Sequence, residues 1–183
     1  SPFCGEIGEL HKESEVRIET ILPAFKKAAV IKALLATHPY EEPAFDFYPL
    51  KNTWTQVGSG VVGELEEPEA ELDFLKRIKK TFEVGCLRHT RLSGRLIQKV
   101  ALCGGAGAFL LPKAVSADAD VFITGEVKYH DYFNYENDIL VAEMGHYESE
   151  QYTKEIFYSI IQEMFPEQDV QITLVNTNPI KYL

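Results

Sequence analysis

The feature that most constrains the fold is an alternation of helix-like and strand-like segments through the last two thirds of the chain. An amphipathic helix pattern, "PEAELDFLKRIKKTF", precedes the strand-like "QKVALCGG". Three helix and strand pairs follow: "AFLLPKAVSA" with "VFITG", "YHDYFNYEN" with "ILVAEMG", and "SEQYTKEIFYSIIQEMF" with "VQITLV". This order predicts an α/β fold with a largely parallel or mixed sheet covered by helices. Ligands of such sheets bind at the carboxyl ends of the strands.

The first third of the chain has a different pattern. "EVRIETIL", residues 15–22, alternates apolar and charged residues and predicts a strand. Pro23 then opens the helix-like "AFKKAAVIKALLATH", and "PAFDFYPL" predicts a second strand. The glycine-rich "QVGSGVVGELEEP", residues 56–68, indicates a boundary. We therefore expect two domains, residues 1–57 and 58–183, the first a small α+β unit.

The composition of the chain limits the kinds of partner that it can bind. The formal net charge of −10 argues against nucleic acid, which is bound by clustered lysine and arginine. No apolar run reaches the about 18 to 20 residues that cross a bilayer, so we expect no membrane partner. The three cysteines are widely spaced and favour a reducing, cytoplasmic setting over a disulfide framework. The opening "SPFCGEIGEL" lacks an initiator Met and suggests a fragment of a longer protein.

The glycine-rich "CGGAGAF", residues 103–109, follows a predicted strand and opens a predicted helix. Its backbone amides could cradle an anion. The stretch lacks the Lys-Ser/Thr of a P-loop, however, and a tight strand-to-helix turn that needs a positive φ explains the glycines equally simply. We favour the turn.

Histidines and carboxylates follow two neighbouring strands. "TGEVKYHD" presents Glu126, His130 and Asp131, and "GHYESE" presents His146 and Glu150. Positions four apart share a helix face, so His146 and Glu150 could both bind one metal ion. Each stretch alone could instead be a helix cap. Because the two stretches are expected at one edge of the sheet, a metal or proton-transfer site is the better explanation. The other histidines, His11, His38 and His89, are expected in loops or at a helix end.

Five ordered blocks resemble one known family: "GSGVVGELEEP", "VALCGGAGAFL", "DVFITGEVKYHD", "VAEMGHYESE" and "NTNPIKYL". They are similar to the Nif-three-like proteins, dinuclear metal centre proteins that often carry the name GTP cyclohydrolase I type 2 homologue. The resemblance implies that residues 58–183 form the C-terminal half of the metal-binding α/β domain. "RIETILP" and "HPYEEPAFDFYPL" resemble the family's CutA/PII-like insert, which implies a ferredoxin-like fold for the first unit.

The resemblance also implies a site. Family members hold two divalent metal ions per full-length chain, and zinc, iron, manganese and nickel all suit such ligands. The family's His-x-x-x-Glu falls on His146 and Glu150, which are therefore the expected metal ligands. Glu126 and His130 match the neighbouring segment, with second-shell or substrate-side roles. The family's other ligands are absent from this sequence, so the site is expected to be incomplete here, and catalytic residues are not assigned.

Three functions are compatible with these observations. The first is a metal-dependent hydrolase acting on an unidentified small molecule, in a full-length protein that the resemblance implies is a homo-oligomeric, hexameric ring. The second is a non-enzymatic metal-binding ring scaffold or regulatory protein whose insert domain senses a ligand. The third is a folded half with no activity of its own.

Overall fold

A computed structural model describes residues 3–52 and 57–181. The chain divides into two compact units, Ser1–Thr53 and Trp54–Leu183. The predicted first domain ends at residue 57, directly after residues 53–56, which lie outside the described residues. Its end point therefore stays a prediction.

The first unit contains the helix that the sequence predicts. A short 3-10 helix, Ala24–Lys26, leads into helix α1, Lys27–Thr37. Pro23 precedes it with a φ of −65°, the value to which its ring fixes the backbone at a helix start. The helix ends at Thr37, and His38 after it is extended because Pro39 follows. No residue between 3 and 52 is fully buried.

Both strands predicted in this unit are wrong. Residues 15–22 and 43–50 belong to no strand of the described chain. The alternation of apolar and polar residues is present, but the side chains of Val16 and Ile18 are 87% and 86% exposed. Alternation specifies a strand only where a neighbouring strand supplies hydrogen bonds and a surface to pack against. The ferredoxin-like, CutA/PII-like fold of this unit therefore stays a prediction, supported by its helix alone.

The second unit is built on one sheet of five strands, in the order β1-β3-β4-β5-β2. The elements in chain order are β1 Val61–Ala70, α2 Glu71–Thr81, β2 Arg88–His89, β3 Leu96–Cys103, α3 Leu111–Ser116, β4 Val121–Thr124, α4 Tyr129–Tyr135, β5 Leu140–Glu143, α5 His146–Glu150 and α6 Thr153–Met164.

The three central strands carry the feature that positions the site. Strands β3, β4 and β5 are parallel, and Cys103, Thr124 and Glu143 stand in register as their last residues. The loops that follow these strands therefore begin side by side. The outer strands β1 and β2 are antiparallel to their neighbours, so the sheet is mixed. The predicted α/β class is confirmed.

Three sequence interpretations of this unit need correction. The strand predicted at "VQITLV", residues 170–175, is not formed, and Leu174 there is 96% exposed. Residues 61–68 of the glycine-rich stretch, where the sequence predicts no strand, belong to β1, Val61–Ala70, while the domain boundary itself stays a prediction. His89, expected in a loop, pairs with Ala142 in the two-residue strand β2, which is too short for any period to reveal.

Helices cover both faces of the sheet. Helix α2 buries Phe74, Leu75 and Ile78 against one face, and α3 buries Leu111 and Ala114 against the other. The central strands β4 and β5 are buried at every position, as expected for parallel strands covered on both sides. In the described part of the chain, no helix has the length and apolar character needed to cross a membrane.

Candidate metal and ligand site at the strand ends

The loops after the three parallel strands are tied to one another at Gly105. Its carbonyl oxygen accepts hydrogen bonds from the Glu126 N–H at 3.0 Å and from the Thr124 hydroxyl at 3.3 Å. Its N–H donates to Oγ of Ser149, 2.9 Å away. A residue of the β3 loop thus joins the β4 loop to helix α5, and this connection sets the positions of Glu126 and the helix α5 side chains.

Helix α5 begins at His146, immediately after Gly145. Gly145 has a φ of +103°, which only glycine adopts without strain, and this sharp turn lets the helix start two residues after the buried Met144. The Ser149 hydroxyl donates to the His146 carbonyl at 2.8 Å. The His-x-x-x-Glu sequence therefore lies on a helix, as predicted.

The His146 ring lies between two carboxylates. Its Nδ1 is 2.9 Å from Oε1 of Glu126, and its Nε2 is 3.2 Å from Oε2 of Glu150. The side chains of Glu126, His146 and Glu150 are 57%, 42% and 53% exposed, so all three are accessible to a small molecule or ion. The structure brings together three of the four residues to which the family resemblance assigns a role at the site.

Gly105 also makes room for these side chains. It has a φ of +59°, and a Cβ at this position would overlap the Glu150 carboxylate and lie 3.3 Å from Nε2 of His146. The turn interpretation of "CGGAGAF" is confirmed at this residue. The glycine serves a second purpose as well, because it allows the backbone to approach the histidine and glutamate closely.

The donor set fits one half of a metal site. A neutral imidazole that donates from Nδ1 to Glu126 has only a lone pair at Nε2, which then faces another acceptor, Oε2 of Glu150. A cation between the two atoms would satisfy both. Two ligands at about 2.1 Å from a tetrahedral ion lie about 3.4 Å apart, close to the observed 3.2 Å. Among the described residues, no group of three or more histidine, cysteine, aspartate or glutamate side chains could hold a metal ion.

Glu126 has the geometry expected of an orienting residue. Metal-binding histidines commonly donate their second ring N–H to a carboxylate, which fixes the tautomer and the ring orientation. His130, by contrast, is exposed on α4, its ring centroid lies 5.7 Å from that of Tyr129, and it is not among the described residues that line the cleft. A second-shell or substrate-side role for His130 stays a prediction without a supporting contact.

An open cleft of about 920 Å³ extends from this cluster. His146 and Glu126 line it together with residues that the sequence did not single out, among them Cys86, Arg88, Phe109, Lys128 and Glu143. Glu143 could have been found, because it is an acidic residue at the carboxyl end of an otherwise apolar strand. Arg88 could not, because its strand has no sequence pattern.

Glu143 anchors this part of the cleft wall. It is 6% exposed and accepts hydrogen bonds from the Tyr132 hydroxyl at 2.6 Å and the Val127 N–H at 3.2 Å, and it forms an ion pair with Arg88. Burial, followed by the hydrogen bond to Glu143, raises the pKa of Tyr132 well above that of a free tyrosine. The phenol therefore remains a donor.

Cys103, the last residue of β3, lies beneath the cluster. Burial raises the pKa of its thiol, and the negative charge of Glu150 adds to this effect. The thiol lies 3.1 Å from the Ser59 carbonyl oxygen, to which it donates. Cys103 is therefore better suited to packing beneath the site than to acting as a thiolate nucleophile or metal ligand.

The fold and the site define a mixed α/β protein that carries a histidine-carboxylate cluster beside an open cleft at the carboxyl ends of its parallel strands. The family is identified by comparison with known proteins. Residues 9–179 match the model of the family described as Duf34/NIF3 (NGG1p interacting factor 3), and the chain belongs to this family. The resemblance found in the five sequence blocks is confirmed.

Two curated relatives show how much of a family member is present. The chain is 34% identical over 187 residues to a protein of Halalkalibacterium halodurans and 33% identical over 191 residues to one of Bacillus subtilis, each named GTP cyclohydrolase 1 type 2 homolog. Each comparison covers 100% of this chain and 50% of the relative. The chain thus spans about half the length of these relatives.

Two solved structures also match nearly all of this chain over about half of their own length. A Staphylococcus aureus protein matches with a TM-score of 0.71 at 29% identity, over 91% of this chain and 55% of the other. A Bacillus cereus protein related to NIF3 matches with a TM-score of 0.69 at 27% identity, over 88% of this chain and 46% of the other. The fold described above is therefore shared with other members of the family.

Proposed function

We propose that this chain supplies one half of a divalent metal site, with Nε2 of His146 and the carboxylate of Glu150 as ligands. The observation that carries the proposal is the 3.2 Å distance between Nε2 of His146 and Oε2 of Glu150, with Glu126 at the opposite ring nitrogen. Zinc, iron, manganese and nickel all accept imidazole and carboxylate ligands, so the donor set does not select one of them.

In the full-length protein we propose two such ions per chain and a metal-dependent hydrolase activity. Two metal ions about 3.5 to 4 Å apart can activate a water molecule and clamp a substrate oxygen. The name of the curated relatives, GTP cyclohydrolase 1 type 2 homolog, points to ring-opening hydrolysis. For the whole protein we further propose a cytoplasmic, hexameric ring that acts on a small molecule and has no nucleic-acid or membrane partner.

The residues of this chain would bind and orient a metal ion and a ligand rather than complete a reaction. Glu126 holds the His146 ring, Gly105 leaves room for the Glu150 carboxylate, and the cleft accommodates a small molecule. Its volume lies within the range of ordinary small-molecule sites, about 300 to 1,000 Å³.

A second candidate is metal binding without catalysis, as in a scaffold or regulatory protein. Its motivation is the acidic composition of the chain, with a formal net charge of −10, and the resemblance of the first unit to a CutA/PII-like insert that could sense a ligand. Two protein ligands leave most coordination positions to water and give weak binding. For this chain alone, a folded half that binds metal weakly and turns nothing over is the expected state.

Metal titration of the chain tests the proposal. Calorimetry with Zn²⁺ and Mn²⁺ should show about one weak site per chain, which His146→Ala and Glu150→Ala each remove. His11→Ala is the matched control, because this histidine is exposed, belongs to the first unit and has no predicted role at the site. Equal binding by wild type and all three variants, or no binding by the wild type, would reject the half-site.

Hydrolase activity needs its own measurement. A full-length relative loaded with metal should turn over nucleotides, phosphoesters or cyclic amides, and substitution of the residues that align with His146 and Glu150 should stop turnover. Retention of metal without turnover of any of these classes would favour the scaffold function.

A further inference from the structure

We propose that the segment of residues 176–181 forms one wall of the cleft, where Ile180 contacts the ligand and selects it by shape. A hydrogen bond between Asn178 and Glu148 holds this wall in place. The segment belongs to "NTNPIKYL", a block of the family resemblance that has no part in the sheet or in the metal half-site. The inference rests on the function proposed above only in taking the cleft as the ligand site.

The segment keeps a defined backbone although it forms neither helix nor strand. The Asn178 N–H donates to Oδ1 of Asn176 at 2.8 Å, and the Ile180 N–H donates to Oδ1 of Asn178 at 3.0 Å. In each of these turns an asparagine side chain accepts from the backbone two residues later. Pro179 lies within the second turn, and its ring fixes φ there. The position of Ile180 therefore follows from the position of Asn178.

Asn178 connects the segment to helix α5. Its Nδ2 donates to Oε1 of Glu148 at 3.2 Å, and both residues are half-buried. A hydrogen bond that a carboxylate accepts is stronger than one between neutral groups. The Glu148 carboxylate also lies over the start of α5, because a Cβ at Gly145 would overlap its Oε2. One side of the Asn178 amide thus holds Ile180, and the other holds the helix that carries the proposed metal ligands.

Ile180 presents apolar surface to the cleft. It is 52% exposed and lines the cleft together with His146 and Phe109, whose ring is 65% exposed. All the other described lining residues lie between positions 86 and 146, so Ile180 is the contribution of residues 176–181 to this surface. A ligand in the cleft would cover part of the exposed Ile180 side chain, and this apolar contact would favour binding.

The lining points to an uncharged ligand with a flat, apolar ring. Its charged groups are of both signs and so do not select a charged ligand, whereas much of the remaining surface is apolar. The exposed Phe109 ring can pair with an aromatic ring, which gains more than the area buried alone. A branched aliphatic side chain such as Ile180 has no polar group and discriminates by fit. The apolar lining residues are Ala106, Ala108, Phe109, Pro112, Val127 and Ile180.

Titration of the metal-free chain with two probes tests the role of Ile180. Benzyl alcohol and cyclohexylmethanol carry the same hydroxymethyl group on a flat and on a puckered ring. Ligand-observed NMR should show benzyl alcohol binding about threefold more tightly or better. Ile180→Ala should weaken benzyl alcohol binding about three- to tenfold, because three side-chain carbons are lost from the wall. Leu174→Ala is the matched control, since Leu174 is 96% exposed and lies outside the described cleft lining.

Exchange of donor and acceptor tests the contact between Asn178 and Glu148. Asn178→Asp keeps the acceptor for the Ile180 N–H but places a second carboxylate against Glu148, so benzyl alcohol binding should weaken as much as in Ile180→Ala. Adding Asn178→Asp to Ile180→Ala should cause no further loss. Adding Glu148→Gln to Asn178→Asp should restore the affinity, because the donor and the acceptor then change sides. Asn137→Asp, at an exposed position outside the described lining, should have no effect.

The outcomes separate this inference from the metal half-site. Ile180→Ala should bind Zn²⁺ as the wild type does, whether or not the wild type has the proposed metal site, and a changed Zn²⁺ affinity would show a general structural role instead. The inference is overturned if benzyl alcohol does not bind, if cyclohexylmethanol binds as tightly, or if Ile180→Ala keeps the wild-type affinity. It is also overturned if Glu148→Gln fails to rescue Asn178→Asp, because the wall would then be held by another contact.

Discussion

Nδ1 of His146 lies 2.9 Å from Oε1 of Glu126, a residue twenty positions earlier in the chain that follows a different strand. The contact is possible because β4 and β5 are parallel neighbours with Thr124 and Glu143 in register. Residues that follow these two positions at similar distances are therefore brought together by the sheet. The orientation of the proposed metal ligand consequently depends on the strand register.

The first prediction concerns Glu126. Glu126→Ala should lower the metal affinity of the chain about 10- to 100-fold, because the His146 ring loses the partner that fixes its tautomer and direction. Glu126→Gln should lose less metal affinity, since its amide oxygen can still accept a hydrogen bond from Nδ1 of His146. Competition of each variant with a chelating dye for Zn²⁺ measures the change.

Glu136→Ala is the control for this experiment, because it removes a carboxylate just after α4 and outside the cleft lining. An unchanged affinity in Glu126→Ala, with metal still lost in His146→Ala, would show that His146 binds metal without Glu126.

Local periodicity predicts the α/β class, the order of helices and strands from residue 71 to residue 164 apart from the two-residue strand β2, and the position of "MGHYESE" after a strand. Periodicity indicates these elements well because strands β4 and β5 are buried on both sides and flanked by amphipathic helices. The same rule failed at residues 15–22, where Val16 and Ile18 alternate correctly but remain exposed. Strand formation depends on a pairing partner, which local sequence does not encode.

The candidate site could likewise be predicted from the sequence only in part. His146 and Glu150 could be paired from the helix period, and Glu126 from its position after the preceding strand. Arg88 and Tyr132 could not be connected with the site, because their common partner, Glu143, lies 55 residues from the first and 11 from the second. Contacts of this kind appear only once the sheet is assembled.

The second prediction concerns Gly105. Gly105→Ala should lower the free energy of unfolding by about 1 to 2 kcal/mol, because alanine is strained at a φ of +59°. It should also impair metal binding, since the new methyl group would overlap the Glu150 carboxylate. Chemical denaturation and metal titration of the same variant measure both effects.

Gly85→Ala is the matched control for stability, because a Cβ there would meet no atom within 4 Å. If Gly105→Ala were destabilised but bound metal normally, Glu150 would have enough freedom to move aside, and its present position would not be required for binding.

The third prediction concerns Glu71, which is 5% exposed at the start of α2. Its carboxylate accepts from the Ser93 N–H, the Ser93 hydroxyl and the Gly94 N–H, each at 2.8 Å. Glu71→Ala should lower the free energy of unfolding by about 2 to 3 kcal/mol, because it leaves two backbone donors of the loop before β3 without a partner. Urea denaturation followed by circular dichroism measures the change.

Glu67→Ala removes an exposed carboxylate from β1 and should change stability by less than about 0.5 kcal/mol. A loss in Glu71→Ala as small as this would mean that water replaces the carboxylate at Ser93 and Gly94. The metal affinity should be unaffected by either substitution, because the hydrogen bonds of Glu71 go to Ser93 and Gly94 before β3 and Glu67 is exposed on β1.

The last prediction concerns pH and Tyr132. A free tyrosine ionises near pH 10, and burial together with the hydrogen bond to Glu143 raises the pKa of Tyr132 in the folded chain. The neutral phenol is therefore favoured by folding, so its contribution to stability is complete below about pH 10 and is lost as the pH rises toward the folded-state pKa. Tyr132→Phe should lower stability at pH 8 by about 1 kcal/mol and make the decline above pH 10 shallower than in the wild type.

Urea midpoints measured between pH 8 and 11 test this prediction. Tyr129→Phe is the control, because that ring is 72% exposed. The pKa values of Tyr40 and Tyr152 are also raised, the first by a hydrogen bond with Cys4 and the second by burial, and both tyrosines remain in every protein compared. Any difference between the wild type and Tyr132→Phe in how steeply stability falls with pH is therefore caused by Tyr132. An equally steep fall of stability with pH in the two proteins would mean that water reaches the Tyr132 hydroxyl, in which case Glu143 would depend more heavily on Arg88.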